Sequence, residues 1–155
     1  MSRNLIKAAI LIVTTVQLNI AQADIQIQNP ILEIPKINLY QEFYPNDKEK
    51  NNVDKGIQVI ETSKMPNQKS NLILASHSGS SKIAYFKNLD KLNINDIAFI
   101  YYQNKKYKYI ITNIYDVEKT GYVDIKRNKN KQTLTLITCK KNTNKQTIYI
   151  GYLAP

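Results

Sequence analysis

Cysteine and histidine occur once each, as Cys139 and His77, in a chain of 155 residues. A single thiol excludes an intramolecular disulfide and any multi-thiolate metal site. Arginine is almost as scarce, with Arg3 and Arg127 its only occurrences. The 22 basic side chains against 12 acidic leave a formal charge of +10, carried almost wholly by lysines spread over the polar stretches. Proteins that read bases and phosphates mass guanidinium forks on one element, so this pattern argues against a nucleic-acid partner. A diffuse lysine surface is a solvated face, and outside a cell it favours contact with anionic lipid or wall polymer. There is no internal repeat. Apolar residues at 43% against 22% charged support a packed interior, and the length fits one domain.

The N-terminus carries an export pattern. Arg3 and Lys7 precede the apolar run Ala8 to Val13, and Ala21-Gln22-Ala23 supplies a small-x-small site before Asp24. Residues 1–23 are therefore expected to be a secretory signal cleaved after Ala23, or a signal-anchor. Leu5 to Ala23 is long enough to span a bilayer, although Lys7, Gln17, Asn19 and Gln22 interrupt it. Either reading puts residues 24–155 on the extracytoplasmic face of the membrane.

Beyond residue 30 the period is mostly two. Ile31 to Ile34 and Ile37 to Phe43 read as short extended runs split by Pro35, and Asn71-Leu-Ile-Leu-Ala75 as a buried strand leading into Ser76-His77-Ser78-Gly79. Val53 to Gly56 reads as one helical turn. Apolar residues at 83, 86 and 89 predict a short helix over Ile83 to Leu92, with its aromatics in the core. Ile97 to Tyr102, a turn at Asn104-Lys105-Lys106 and Tyr107 to Val117 predict a hairpin. Thr133 to Thr138 and Thr147 to Leu153 predict a second strand pair. The expected fold is mostly β: a closed, antiparallel-rich barrel with one or two short helices, occupying residues 24–155.

The two unique reactive side chains leave the sheet at strand ends, His77 after Asn71–Ala75 and Cys139 after Thr133–Thr138. They are either two unrelated structural residues or a nucleophile with its acid/base partner. In the second case the sheet fixes their separation, and the imidazole protonates a leaving amine after thiolate attack on an amide.

Leu134-Thr135-Leu136-Ile137-Thr138-Cys139 resembles the TLxTC signature of sortases, the cysteine transpeptidases on the surface of Gram-positive bacteria. Asn71 to Gly79 resembles the strand and loop that carry their histidine. Tyr85-Phe86-Lys87-Asn88-Leu89 resembles the helix after it, and Ile34-Pro35-Lys36-Ile37 their first-strand entry. The resemblance runs from about Ile31 to Leu153. It implies a closed sortase-like barrel with Cys139 as nucleophile and His77 as general acid/base. The implied substrates are surface proteins bearing a C-terminal LPxTG-like sorting signal, cleaved through a thioacyl intermediate and joined to a cell-wall amine. No cofactor and no metal is implied, since a thiolate needs neither. Residues 24 to 30 lack an aromatic lid motif of the pilus-building type, and Thr120 to Gln132 is too short for the extra helix of the heme-protein-anchoring type. What remains is a compact general form, class D-like or of unassigned class.

One position departs from the pattern. Sortases carry an arginine on the last strand, at a place that falls here on Thr147 or Ile148. Lys145 is expected to share the face of Thr147 if the strand starts early, so its ammonium is the candidate replacement, with Thr147 as a neutral donor. The alternative is an exported lysine-rich β-domain, catalytically weak or inactive, that binds cell wall or a protein partner.

Overall fold

The computed structural model describes residues 29–66 and 69–155. Eight strands follow in chain order: β1 (Ile31–Ile34), β2 (Leu39–Glu42), β3 (Gln58–Val59), β4 (Asn71–Ala75), β5 (Ile97–Tyr102), β6 (Lys105–Glu118), β7 (Thr133–Cys139) and β8 (Lys145–Leu153). They form one curled sheet in the order β2-β1-β5-β6-β8-β7-β4-β3. Its two edges approach at a single parallel bridge between Tyr44 and Gln58, so the expected mostly-β barrel is present with a seam one bridge wide. The segment 1–23, read above as an export signal, lies outside the described residues. Among the described residues no helix is long and apolar enough to cross a membrane.

Among the described residues the helical content is two 3-10 turns, Pro35–Ile37 and Leu89–Lys91. The helix expected over Ile83 to Leu92 is instead a chain of tight turns. The amides of Ala84, Lys87, Leu89 and Lys91 bond the carbonyls of Ser81, Ala84, Phe86 and Asn88, three residues back. So short a segment forms no stable α-helix by itself, and its apolar spacing serves to bury Ala84, Phe86 and Leu89 in the core. Val53 to Gly56 is likewise a turn, closed by Lys55 N–H to the Asn52 carbonyl. In the hairpin the turn is Gln103-Asn104 rather than Asn104 to Lys106. Both residues have positive φ, 50° and 58°, which matches the twist of the two strands, and β6 begins directly at Lys105.

The sheet is buried on both faces where it matters for function. Leu32, Ile34, Leu72, Leu74, Ile100, Leu134 and Leu136 fill the barrel with Phe43 and Phe86. On the opposite face Ile73, Ile137, Ile148 and Ile150 form a second cluster, covered by Val123 and Ile125 from the segment between β6 and β7. Strands covered on both sides need no polar alternation, which is why Asn71–Ala75 and Thr133–Thr138 read as continuous buried runs. It also suits the parallel pairing of β4 with β7, in register from Asn71–Thr133 to Ala75–Ile137. Two threonine hydroxyls of β7 stitch this pair: Thr135 donates to the Asn71 side-chain carbonyl and Thr138 to the Ser76 carbonyl, each at 2.8 Å.

Candidate active site

The parallel register delivers the two unique residues to one place. The ladder continues past β4, since the Ser76 N–H donates to the Ile137 carbonyl at 3.3 Å. Carried on at the same offset, it brings His77 level with Cys139 on a neighbouring strand end, where adjacent strands lie about 4.8 Å apart. The loop after His77 is held in place. Ser76 Oγ donates to the Gly56 carbonyl at 3.1 Å, and the His77 carbonyl accepts the Phe86 N–H at 3.1 Å.

Cys139 is half-buried and free. It lines a cavity of about 470 Å³ together with Ser78, Phe86, Asp116, Lys140, Thr147 and Tyr149, among others. One rung of the sheet builds the wall: Asp116 of β6 pairs with Thr147 of β8, which pairs with Thr138 of β7. Asp116 is the hub. Its carboxylate accepts from the Thr147 hydroxyl at 2.8 Å and from the Lys140 ammonium at 2.5 Å. The Lys140 ammonium holds the Asp116 carboxyl below its ordinary range against a partial burial that pushes it up, and Thr147 adds to the lowering. Asp116 is therefore a carboxylate at neutral pH. Tyr149 is its opposite: burial, with Asp90 and Asp116 nearby, pushes its phenol up to about 12, so it stays protonated. Lys141 sits in the wall with its ammonium 3.2 Å from Asp90 and 2.8 Å from the Lys87 carbonyl.

His77 has a partner of its own. Its Nε2 lies 3.0 Å from Asp54 Oδ1. A carboxylate only accepts, so in the neutral ring this contact puts the proton on Nε2 and leaves Nδ1 as the basic nitrogen. Asp54 is carried by an ordered turn. Its N–H donates to Asn52 Oδ1 at 2.8 Å, and Asn51 bonds both the N–H and the carbonyl of Val59 in β3, like one more rung of sheet.

The four site residues singled out in the sequence thus separate. Cys139 and Thr147 line the cavity; His77 is not among its lining residues, although the next residue, Ser78, is. β8 starts at Lys145, two residues before the expected Thr147, but Lys145 is paired across the ladder with Glu118, its ammonium 3.3 Å from that carboxylate, and it does not line the cavity. Ile148, the other position considered for a cation, is fully buried in the second cluster. Asp54, Asp116 and Lys140 were not found by sequence reasoning. Asp116 left one signal, an acidic residue within the apolar run of β6; Asp54 and Lys140 left none in a chain so rich in polar turns.

A sequence model of the sortase domain matches residues 32–153. The chain is 27% identical over 124 residues to sortase A of Bacillus anthracis, covering 79% of this chain and 58% of that protein. It therefore spans well under two thirds of that relative's length. Among solved structures, sortase C1 of Streptococcus agalactiae superimposes with a TM-score of 0.70 at 28% identity, covering 81% of this chain and 66% of that one. Sortase A of Corynebacterium diphtheriae shares the fold, with a TM-score of 0.72 at 22% identity over 90% of this chain and 76% of that one. The barrel, the register that levels His77 with Cys139 and the match over nearly all described residues agree: this chain belongs to the sortase family.

Proposed function

We propose that this protein is a cysteine transpeptidase that cuts a sorting signal of the LPxTG type in surface proteins and joins the new carboxyl end to a cell-wall amine. The support is the shared end of β4 and β7, where the only thiol and the only imidazole of the chain sit level beside a cavity large enough for a peptide segment. The Cys139 thiolate adds to the amide carbon after the threonine, forming the C–S bond. His77 then gives its proton to the departing nitrogen as the C–N bond breaks, leaving a thioester. The acceptor amine attacks that thioester and loses a proton to His77, and the thiolate leaves. With Nε2 engaged by Asp54, Nδ1 is the nitrogen that carries the proton in both halves. A product of this kind is made outside the cytoplasm, which accords with the export pattern in residues 1–23.

The test is direct. The chain is incubated with a library of LPxTG-type peptides, and intact-mass spectrometry follows Cys139. An acyl adduct that is absent from Cys139→Ala and released by an added amine is the expected result. A wild-type chain that stays unmodified refutes the reading in favour of a wall-binding or partner-binding barrel without chemistry.

A further inference from the structure

A thiolate adding to an amide turns the carbonyl oxygen into an oxyanion, and a fixed donor beside that oxygen is usually the largest single contribution to such a reaction. Among the described residues, the cationic side chains lining the cavity are Lys87, Lys140 and Lys141. Lys141 spends two of its three donors on Asp90 and the Lys87 carbonyl. The Thr147 hydroxyl has a single proton, and that proton is given to Asp116.

Lys140 is differently placed. It follows Cys139 directly, and its backbone is held at both ends inside the tight turn to β8. Its N–H donates to the Lys145 carbonyl at 2.9 Å, and its own carbonyl accepts from the Thr143 hydroxyl at 3.0 Å. The turn is sharpened by Asn142, whose φ of 59° is left-handed. From this anchored backbone the side chain reaches across the wall to Asp116, which Thr147 holds from its other oxygen. Asp116 takes one of the three ammonium protons, and the other two are available to an acceptor in the cavity.

We propose that Lys140 is the cation of this site that contacts the scissile carbonyl, and that Asp116 and Thr147 are positioning residues that hold its ammonium in the cavity wall. The inference rests on the acyl-transfer reading above. No bond to Lys140 is made or broken. It donates hydrogen bonds to the oxygen as charge develops and returns to Asp116 when the thioester forms. The anchored pair works as an oriented donor rather than a free charge, because Asp116 cancels much of the field at a distance.

The full chain and an LPxTG-type peptide are mixed under single-turnover conditions, and adduct formation on Cys139 is timed by mass spectrometry. Lys140→Met is expected to slow acylation on the order of 10²-fold with little change in the peptide concentration at half-saturation, as for loss of an oxyanion donor. Lys140→Arg, which keeps charge and donors, restores most of the rate. Asp116→Asn, which keeps the wall but loosens the ammonium, gives an intermediate loss, and Lys48→Met on a remote surface pair changes nothing. Melting temperatures check the fold, and Lys140→Gln replaces Lys140→Met if that variant does not fold. Equal acylation rates for wild type and Lys140→Met overturn the inference alone, as does a greater loss in Lys145→Met than in Lys140→Met. A wild-type chain that forms no adduct overturns the acyl-transfer reading and this inference with it.

Discussion

Replacing Thr138 by valine separates the stability of the β4–β7 seam from its use. Thr138 and Thr135 lie on the same strand, are buried, and each donates one 2.8 Å hydrogen bond toward β4. Valine has nearly the same shape and the same liking for strands, so each substitution removes a hydroxyl and little else. The net loss of one such bond is about 1 kcal/mol, and the buried acceptor left behind, Ser76 or Asn71 oxygen, raises it to about 1.5–2 kcal/mol. For a domain of this size that lowers the melting temperature by roughly 5–7 °C. Urea unfolding is followed by circular dichroism, because the chain has 11 tyrosines and no tryptophan. The midpoint is expected to fall to a similar extent in both variants with the slope unchanged. Acylation of Cys139 divides them. The Thr138 bond holds Ser76, one residue before His77, whereas the Thr135 bond lies deep in the seam. A displacement of the imidazole approaching 1 Å costs up to about 10²-fold in rate, so Thr138→Val loses at least roughly tenfold while Thr135→Val keeps the wild-type rate. Equal rates in the two variants, or unchanged midpoints in both, would refute the reasoning.

Asp54→Ala is expected to release the His77 ring from the Nε2–H tautomer, visible in ¹⁵N spectra of the imidazole, whereas Asp54→Asn keeps it because a carboxamide oxygen also accepts. Since the Asp54 side chain is 77% exposed, the accompanying loss in acylation stays within about fivefold; an unchanged tautomer in the alanine variant removes Asp54 from the site. Asp116 makes a prediction about acid. Its folded-state pKa lies below the ordinary 3.8, so its pairing with Lys140 and Thr147 stabilises the fold fully above about pH 4 and is lost as pH falls through the lower folded value. The stability gap between wild type and Asp116→Asn should therefore close below pH 4 in urea titrations, and a gap that persists there contradicts the assignment.

What the sequence by itself determined is local. Period-two runs and short continuous apolar runs locate the longer strands within a residue or two, because alternation and β-branched content are properties of short segments. The TLITC run, with its threonines between apolar neighbours, marked β7 and the thiol at its end. The turn stretch at Ile83 to Leu92 carries a helical signal for the same reason: three apolar residues at helical spacing look alike whether a helix or successive tight turns bury them. The two-residue strand β3 is too brief to leave any pattern.

Tertiary structure decided everything that depends on which strand lies beside which. The parallel register of β4 and β7 levels His77 with Cys139 across 62 residues of chain, and no segment of either strand encodes its neighbour. The same holds for the cations. Lys145 and Lys140 are equivalent lysines in the sequence. Only the pairing of β8 with β6 sets Glu118 opposite Lys145 and Asp116 opposite Thr147, pairing one lysine with Glu118 and tying the other into the cavity wall. Alternation fixes which side chains share a face, but the charge that meets each of them across the ladder is supplied by a strand some thirty residues away, which only the folded sheet brings into contact.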